Sequence, residues 1–279
     1  MTSKSENKLE EFFKAFTGDE APLLLLDYDG TMAPFRVNRF EARPYAQVRE
    51  LLTRIQQQGR TRMAVVTGRP AGEIDPLLGL KPALEVWGLH GAERLFSNGR
   101  RQMEQASPRA LEKLDELRGR LSKDALGGHF EDKPNACVMH WRGLSAMRAN
   151  AVEKKTRALF EPLAEMDGLS LLKFEAGLEL RVGRDKGGAV EAIVAEVRGH
   201  GPVAYVGDDL TDESAFRAVN SLKRPHLSVL MRRTPRATEA DVYMRPPADL
   251  RTFLKRWLVS VEASREHGSP VEDEELAAV

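Results

Sequence analysis

A single cysteine stands among the 279 residues of this sequence, and its isolation excludes two kinds of site. Cys137 cannot form a disulfide within the chain, and one thiolate cannot build a metal cluster. No run approaches the roughly 20 apolar residues of a membrane-spanning helix, and the N-terminal segment MTSKSENKLEEFFKAF is charged instead of apolar. We therefore expect a cytoplasmic protein with no membrane partner.

Net charge is also missing, because lysine plus arginine and aspartate plus glutamate both number 42. Without an overall field, the chain has no general attraction to nucleic acid or to anionic membranes. We expect a small-molecule partner, no nucleic-acid partner and a monomer. The length of 279 residues allows one large domain or a core domain that carries an insertion, and we expect two units.

The run from Leu23 to Leu26 predicts a strand buried on both faces, because it is continuously apolar and leads into a glycine turn. A helix with Gly59 as its C-terminal stop is predicted by apolar residues at helical spacing, namely Tyr45, Val48, Leu51, Leu52 and Ile55. Further strands are predicted at RMAVVTGR, LEVWGLHG, VAYVGDDL and LSVLM. The two ends of the chain therefore predict an α/β fold with a doubly wound, Rossmann-like core built on a parallel sheet.

The middle of the chain predicts a different unit. Leucines at helical spacing from Leu111 to Leu121 predict a helix, NACVMHW a strand, Ala151 to Phe160 a second helix, and SLLKFEAGLELRV two strands around a turn. We predict an inserted α+β cap domain at 103–182, between two halves of a discontinuous core at 1–102 and 183–279. The polar, acidic ending HGSPVEDEELAAV predicts a frayed tail.

Polar motifs follow three of the predicted core strands at their carboxyl ends. The motif residues are Asp27 and Asp29, then Thr67, Gly68 and Arg69, then Asp208, Asp209 and Asp212. Ligands in open α/β sheets bind beyond these ends, so we expect the three motifs to meet. Lys186 stands just before the helical pattern GGAVEAIVAEV, and we expect it at the same place.

Five carboxylates at one place repel one another, by about 4 kcal/mol per pair at roughly 4 Å and an effective dielectric constant of about 20. The sequence therefore predicts a bound cation. Ligands that are all oxygen select a hard ion, and few carboxylates with room for water and a phosphate oxygen favour Mg²⁺ over Ca²⁺. Lys186 adds a second positive charge, and Thr67 with the amides of its turn suits a phosphoryl oxygen.

These groups are the parts of a phosphoryl-transfer site. One carboxylate attacks phosphorus and forms an aspartyl phosphate, which divides a slow hydrolysis into two faster steps. A second carboxylate, two residues later, protonates the leaving alcohol and then deprotonates water. Each motif alone also has an ordinary interpretation: the DxD as an Asx turn, the Thr67 turn as plain turn chemistry, Lys186 as a solvated lysine and Asp212 as a helix start.

Four segments, DYDGT, VVTGR, DKG and GDDLTDE, occur in that order with an insert between the second and third. Together they resemble the four motifs of the haloacid dehalogenase superfamily of phosphatases. The resemblance implies that Asp27 is the nucleophile, that Asp29 is the general acid/base, and that Thr67 and Lys186 clamp the phosphate. The other roles it implies are those of the Mg²⁺ ligands Asp27, Asp29 and Asp208 and of the orienting residues Asp209 and Asp212.

Further segments resemble trehalose-6-phosphate phosphatases over most of the chain, from about Leu23 to Leu258: GLHGAE, EDKPNACVMHWR, LELR and YMRPPADLRTFLKRWL. The resemblance implies a phosphoric monoester hydrolase that uses Mg²⁺ to convert trehalose 6-phosphate into trehalose and phosphate, the last step of trehalose biosynthesis. It also implies a cap that selects the sugar phosphate. The substrate-binding residues that it implies are Gly68, Arg69, His90, Gly91, Glu131, Lys133, His140, Arg142 and Glu179.

Two positions depart from the family pattern. Val182 stands where the family often has a proline, which bears on the linker that leaves the cap. Trp141 replaces the tyrosine or phenylalanine often found before the cap arginine, and an indole also suits stacking on a sugar face. The cap residues keep ordinary alternatives, with His140 as a structural histidine and Glu131 with Lys133 as a surface ion pair.

Other functions remain open from the sequence alone. The four motifs also suit a related capped phosphatase that acts on mannosyl-3-phosphoglycerate or sucrose 6-phosphate. A non-catalytic sugar-phosphate sensor and a phosphoryl-transferring mutase are further alternatives, although a sensor needs neither a nucleophile nor an acid/base. The basic run Arg232, Arg233 and Arg236 predicts a solvated loop, and we assign it no function.

Overall fold

The computed structural model describes residues 3–17, 20–105, 107–122, 129–133, 135–166, 168–174 and 176–267. This part of the chain forms two β-sheets with helices packed against them, a mostly parallel sheet of eight strands and an antiparallel sheet of four. The predicted α/β fold class is confirmed. Apart from its first histidine, the predicted C-terminal tail HGSPVEDEELAAV lies outside the described residues. No described helix combines the length and the apolar character needed to cross a membrane.

Strands and helices are numbered separately, in chain order. The strands are β1 (Leu23–Leu26), β2 (Arg62–Val66), β3 (Glu85–Gly88), β4 (Glu93–Leu95), β5 (Arg101–Met103), β6 (Phe130–Lys133), β7 (Ala136–His140), β8 (Leu169–Phe174), β9 (Gly177–Val182), β10 (Val203–Gly207), β11 (His226–Met231) and β12 (Val242–Met244). The helices are α1 (Ser3–Lys14), α2 (Val48–Gln57), α3 (Ile74–Leu78), α4 (Pro108–Leu121), α5 (Ala146–Ala164), α6 (Lys186–Glu196), α7 (Glu213–Asn220) and α8 (Ala248–His267).

Strand β1 lies inside the eight-stranded sheet, the large sheet, whose order is β12-β11-β10-β1-β2-β3-β4-β5. It pairs in parallel with β10 on one side and with β2 on the other. The chain builds β2 and β3 on one side of β1 and later returns to build β10, β11 and β12 on the other side. The carboxyl ends of β1, β2 and β10 therefore open onto one crevice, where the strand order reverses.

The leucine run of β1 is buried on both faces of the large sheet. Leu24 belongs to the apolar layer formed with α1, α2 and α8, whereas Leu25 belongs to the layer formed with α6 and α7. Such a strand needs an apolar residue at every position, because neither face meets water. Helix α1 packs on the same core, where Phe12 contacts the ring of Trp257 from α8.

The four-stranded sheet, the small sheet, has the order β6-β7-β9-β8, with all neighbours antiparallel. Helices α4 and α5 cover one of its faces, and Cys137 and Leu180 are buried in that apolar cluster. Successive side chains of a strand point to opposite faces, so Val138 and Glu179 lie on the other face. That second face is turned towards the crevice of the large sheet, because both residues line a cavity there.

The chain passes between the two sheets at two crossings, one after β5 and one after β9. Glu104 in the first crossing accepts hydrogen bonds from the backbone N–H and from Nε of Arg184 in the second, both at 2.9 Å. One carboxylate therefore joins the two crossings. The predicted limits of the cap, 103–182, fall at these crossings and stay a prediction.

Most predicted elements are present, and the differences have local causes. Helix α2 begins at Val48 instead of Tyr45, because Gln47 has a left-handed φ of 70° that a helix does not continue through. The sequence patterns did not predict β4, β5, β6 or β12. These strands have three or four residues, too few for an alternating pattern to appear.

Candidate active site

A cavity of about 360 Å³ lies in the crevice at the carboxyl ends of β1, β2 and β10. The large sheet and the first residue of α6 contribute Asp27, Asp29, Phe35, Thr67, Gly68, Arg69, His90, Lys186, Asp208, Asp209 and Thr211 to its lining. The small sheet contributes Lys133, Val138, His140, Leu172, Phe174 and Glu179. The structure thus brings the polar motifs of three strands together with polar residues of the small sheet.

Asp27 and Lys186 form the buried centre of the site. Lys186 Nζ donates hydrogen bonds to Asp27 Oδ1 and to Asp212 Oδ1, both at 2.7 Å. The side chains of Lys186 and Asp27 are only 3% and 5% exposed. A buried ammonium needs such partners, because an unpaired buried charge is strongly destabilising. Lys186 is therefore a fixed charge of the site and not a solvated lysine.

Asp212 uses its whole hydrogen-bonding capacity to hold this centre in place. Its Oδ1 accepts from Lys186 and from the Tyr205 hydroxyl, the latter at 2.6 Å. Its Oδ2 accepts from the backbone N–H of Asp208 at 2.9 Å and of Asp209 at 2.8 Å. These four bonds fill the roughly four lone-pair positions of a carboxylate. Asp212 thus fixes both Lys186 and the loop after β10.

Three carboxylates lie close enough to share a cation. Carboxylate oxygens of Asp27, Asp208 and Asp212 lie within 4.8 Å of one another, and all three residues are buried. When ionised, they carry two negative charges more than Lys186 balances, and one divalent cation would remove that excess. Because Asp212 is fully hydrogen-bonded, the available oxygens belong to Asp27 and Asp208. Two carboxylates with room for water fit Mg²⁺.

The loop after β1 approaches Asp208 so closely that only glycine fits there. Gly30 has a left-handed φ of 77°, and a Cβ at this position would overlap the carboxylate of Asp208. Glycine accepts both constraints without strain. The DYDGT segment can therefore lie against the loop after β10, which puts Asp27 and Asp208 in one site.

The charges of the centre are strongly coupled. Burial raises the pKa of Asp27, and the ammonium of Lys186 acts against burial. Burial also raises the pKa of Asp208, and the charges of Asp27 and Asp212 act in the same direction. Burial lowers the pKa of Lys186, but the two carboxylates that it binds outweigh burial and leave this pKa above its ordinary value. A divalent cation would favour the ionised form of both acids.

Asp29 and Arg69 form a two-point ion pair at the edge of this centre. Arg69 donates from Nε to Asp29 Oδ2 at 2.6 Å and from Nη2 to Asp29 Oδ1 at 2.5 Å. Arg69 was predicted to bind substrate, and it lines the cavity while holding Asp29. Both Asp29 oxygens are engaged there, outside the cluster that includes Asp27 and Asp208. The metal-binding role of Asp29 stays a prediction.

The turn after β2 presents hydrogen-bond donors to the cavity. The Thr67 hydroxyl accepts from the backbone N–H of Arg69 at 3.2 Å, which leaves the hydroxyl hydrogen available for an acceptor in the cavity. Gly68 follows with no side chain, and the ring of His90 occupies the space beside it. A Cβ on Gly68 would lie 2.7 Å from His90 Nε2. The turn is therefore packed around this histidine.

His90 has an unusual backbone and an enclosed ring. Its φ of 59° lies in the left-handed region, which residues other than glycine seldom adopt, and its N–H donates to the Thr67 carbonyl at 2.8 Å. Burial lowers the pKa of His90 well below its ordinary value, and the positive charges of Lys186, Arg181 and Lys133 lower it further. His90 therefore faces the cavity as a neutral imidazole.

The small sheet contributes two ion pairs from its open face. Lys133 Nζ donates to Glu179 Oε2 at 2.9 Å, and Nε2 of His140 lies 2.7 Å from Glu131 Oε2. Lys133, Glu179 and His140 line the cavity, and Glu131 joins them through His140. These four residues were predicted to bind substrate, and the structure places them on one face.

Two predicted substrate-binding residues lie apart from the cavity lining. Arg142 is exposed in the turn after β7, and Gly91 packs beside Ala189 of α6. The predicted substrate roles of both stay predictions.

Sequence reasoning did not assign several residues that the structure brings to the site, namely Phe35, Val138, Leu172, Phe174, Tyr205 and Thr211. Some of them had a signal in the sequence. Val138 lies two residues before His140 on one strand, so the alternation of strand side chains puts both on the same face. Phe35 and Tyr205 had no signal, because their positions depend on how distant loops meet.

One family model matches most of the chain. The model, described as Trehalose-phosphatase, matches residues 25–247. A curated relative, the trehalose-phosphate phosphatase of Mycobacterium avium (strain 104), is 29% identical over 248 residues. That alignment covers 84% of this chain and 61% of the relative, so the chain spans about three fifths of the relative's length.

Solved structures share the fold. The trehalose-6-phosphate phosphatase of Aspergillus fumigatus, in crystal form 3, matches with a TM-score of 0.72 and 22% identity, over 90% of this chain and 97% of that one. A haloacid dehalogenase-like hydrolase from B. subtilis matches with a TM-score of 0.57 and 16% identity, over 84% and 98%. At these identities the matches describe the fold alone.

Proposed function

The chain belongs to the trehalose-phosphatase family, and on that premise we propose that it hydrolyses trehalose 6-phosphate to trehalose and phosphate in an Mg²⁺-dependent reaction. One observation carries the proposal. A single cavity is lined on one side by Asp27, Lys186 and Asp208 and on the other by Lys133 and Glu179. The first side suits a phosphoryl group and the second suits sugar hydroxyls.

In the first half-reaction, a carboxylate oxygen of Asp27 attacks phosphorus and forms an aspartyl phosphate, while the sugar oxygen leaves. Lys186 holds Asp27 Oδ1 at 2.7 Å, which leaves Oδ2 for the attack. The Thr67 hydroxyl and the neighbouring amides donate to phosphoryl oxygens. Asp29 protonates the leaving oxygen, and this role requires one of its oxygens to be released from Arg69.

In the second half-reaction, Asp29 accepts a proton from water, and the resulting hydroxide attacks the phosphorus of the aspartyl phosphate. Asp27 is the leaving group of this step and regains its charge beside Lys186. Asp27 and Asp208 would hold Mg²⁺, which supplies positive charge against the phosphoryl oxygens. Asp212 keeps Lys186 in place throughout, because its four hydrogen bonds do not involve the substrate.

Recognition of the sugar is the task of the small sheet. Glu179 and Glu131 accept hydrogen bonds from sugar hydroxyls, whereas Lys133 and His140 donate them. Val138, Leu172 and Phe174 supply apolar surface between these groups, suited to the C–H faces of a pyranose ring. The small sheet also covers the aspartyl phosphate, which limits the access of water during the first half-reaction.

Phosphate release from a panel of sugar phosphates, with and without Mg²⁺, tests the proposal. We expect the highest kcat/KM with trehalose 6-phosphate and little release without the metal. Equal or better turnover of glucose 6-phosphate, sucrose 6-phosphate or mannosyl-3-phosphoglycerate would assign the chain to another sugar. Recovery of phosphorylated sugar without free phosphate would indicate a mutase, and the absence of any turnover would indicate a sensor.

A further inference from the structure

Arg181 lies on the open face of the small sheet, although the sequence motifs gave it no role. In strand β9 it follows Glu179 by two residues, so both side chains point to the face that is turned towards the cavity. Its cross-strand neighbours on that face are Ala136 of β7 and Ser170 of β8. Both neighbours are small, so the long side chain of Arg181 has room to extend along the sheet.

The guanidinium of Arg181 is buried without a close carboxylate. Its side chain is 8% exposed, and Nη1 lies 3.8 Å from Glu179 Oε1, beyond hydrogen-bond distance. Its Nε is buried and has no hydrogen-bond partner among the residues that the structure describes. Lys133 is the nearer partner of Glu179, at 2.9 Å from the other carboxylate oxygen.

Keeping a cation in this position costs free energy. Burial lowers the pKa of Arg181, and the charges of Glu179, Glu104 and Asp185 offset burial only in part. An apolar side chain of similar length would avoid the loss of hydration that a buried, incompletely paired charge suffers. Such costly side chains concentrate at functional sites, where the structure around them keeps them in place.

The charge of Arg181 acts at the site in two directions. On the small sheet, Glu179 lies between two cations, with Lys133 at one carboxylate oxygen and Arg181 nearest the other. On the large sheet, Arg181 is one of the three cations that lower the pKa of His90. Lys133 is 42% exposed, so its flexible side chain alone would leave the Glu179 carboxylate free to turn with it.

We propose that Arg181 is a positioning residue for sugar recognition, which fixes the Glu179 carboxylate so that its remaining lone pairs face the cavity. The inference rests on the proposed function, because it requires that Glu179 accepts a hydrogen bond from a sugar hydroxyl. Arg181 itself does not line the cavity, so it acts through Glu179 and does not touch the substrate. Its removal loosens the hold on the disaccharide and leaves the chemistry at Asp27 intact.

The test is a double-mutant cycle on trehalose binding, measured by calorimetry with wild type, Arg181→Met, Glu179→Gln and the double variant. We expect Arg181→Met to weaken trehalose binding about tenfold, close to 1.4 kcal/mol. In the Glu179→Gln background the same substitution should have little further effect, because the carboxylate that it positions is already gone. Turnover of p-nitrophenyl phosphate should stay within about twofold of wild type in all four proteins.

Lys173→Met is the matched control, because it removes an exposed cation from β8 and should leave trehalose binding unchanged. Additive effects of Arg181→Met and Glu179→Gln, or an equal loss with p-nitrophenyl phosphate, would overturn the inference by indicating a purely structural role. If Arg181→Met does not fold, the same cycle with Arg181→Lys keeps the charge and applies the same criterion. A wild type that neither binds trehalose nor hydrolyses trehalose 6-phosphate would overturn the proposed function instead.

Discussion

The two sides of the cavity hold their charges in different ways. At the large sheet, the side chains of Lys186, Asp27 and Asp212 are at most 5% exposed, and each is bonded to another member of the set. At the small sheet, Lys133 and His140 are both 42% exposed. Buried charges that depend on one another tolerate no loss, whereas half-exposed ion pairs contribute little to stability and are easily rearranged.

This difference separates the chemistry of the site from its selectivity. Substitutions at the large sheet should affect every phosphate ester alike, because each ester needs the same nucleophile and the same charges. Substitutions at the small sheet should affect the disaccharide and spare a small aryl phosphate. Changes on the two sides, taken in order of decreasing effect, would break or sharpen that separation.

The largest effect is expected for Asp27→Asn, which should reduce turnover of both trehalose 6-phosphate and p-nitrophenyl phosphate by at least about 10³-fold. An amide is not a nucleophile towards phosphorus, so no covalent intermediate forms. Phosphate release and acid trapping of phosphoenzyme measure the effect. Asp75→Asn, an exposed change in α3, is the control. Phosphoenzyme trapped from Asp27→Asn would show that another residue is the nucleophile.

Removal of divalent metal should rank second. A chelator should lower turnover of both substrates by about 10²- to 10³-fold, because the developing charge on the phosphoryl oxygens loses its main counter-charge. Added Mg²⁺ should restore turnover and raise the melting temperature, since it relieves the repulsion between Asp27 and Asp208. Asp208→Asn should weaken that thermal shift. Full activity in the chelator would argue against a metal at this site.

Glu179→Ala should produce a selective effect. It removes a charged hydrogen-bond acceptor from the small sheet, so kcat/KM for trehalose 6-phosphate should fall about ten- to 100-fold. Turnover of p-nitrophenyl phosphate should hardly change, because that substrate makes no sugar contacts. Steady-state kinetics with both substrates separates the two outcomes. Equal losses would remove the division between the two sides of the cavity.

The smallest effect concerns the pH dependence of stability through His90. The folded chain keeps this imidazole neutral, so below pH about 6.5 only the unfolded chain takes up its proton, and stability falls as the pH falls. The limiting slope is about 1.4 kcal/mol per pH unit. His90→Asn, which tolerates the left-handed backbone, should remove this slope in denaturant unfolding between pH 7 and pH 5. An unchanged slope would assign the acid sensitivity to other groups.

Much of the large-sheet side could be predicted from the sequence, because each motif follows a buried strand directly. The DYDGT segment fixes the distance between Asp27 and the end of β1, so the position of its carboxylate follows from the strand itself. The pairing of Asp29 with Arg69 was not predictable, since it depends on how the turns after β1 and β2 approach each other. The same limit applies to Tyr205, whose hydroxyl meets Asp212 only after the loop beyond β10 closes.

The small-sheet side was harder to predict for a different reason. Its polar residues come from three strands, and only their register decides which of them become neighbours. Glu179 lies opposite Val138 on one side and Leu172 on the other, a row that no local pattern reveals. Resemblance to a family named Glu179 but not Arg181. Burial and hydrogen-bond accounting were needed to single out Arg181.

The bond between Glu104 and Arg184 has a consequence for how the small sheet moves. Because a single carboxylate joins both crossings, the two chain segments cannot swing independently, and opening and closing must turn about one pivot. A pivot of this kind has one degree of freedom. The distance from Glu179 to Asp27 then becomes a function of a single angle, so the site measures the length of its substrate in the way that a calliper does.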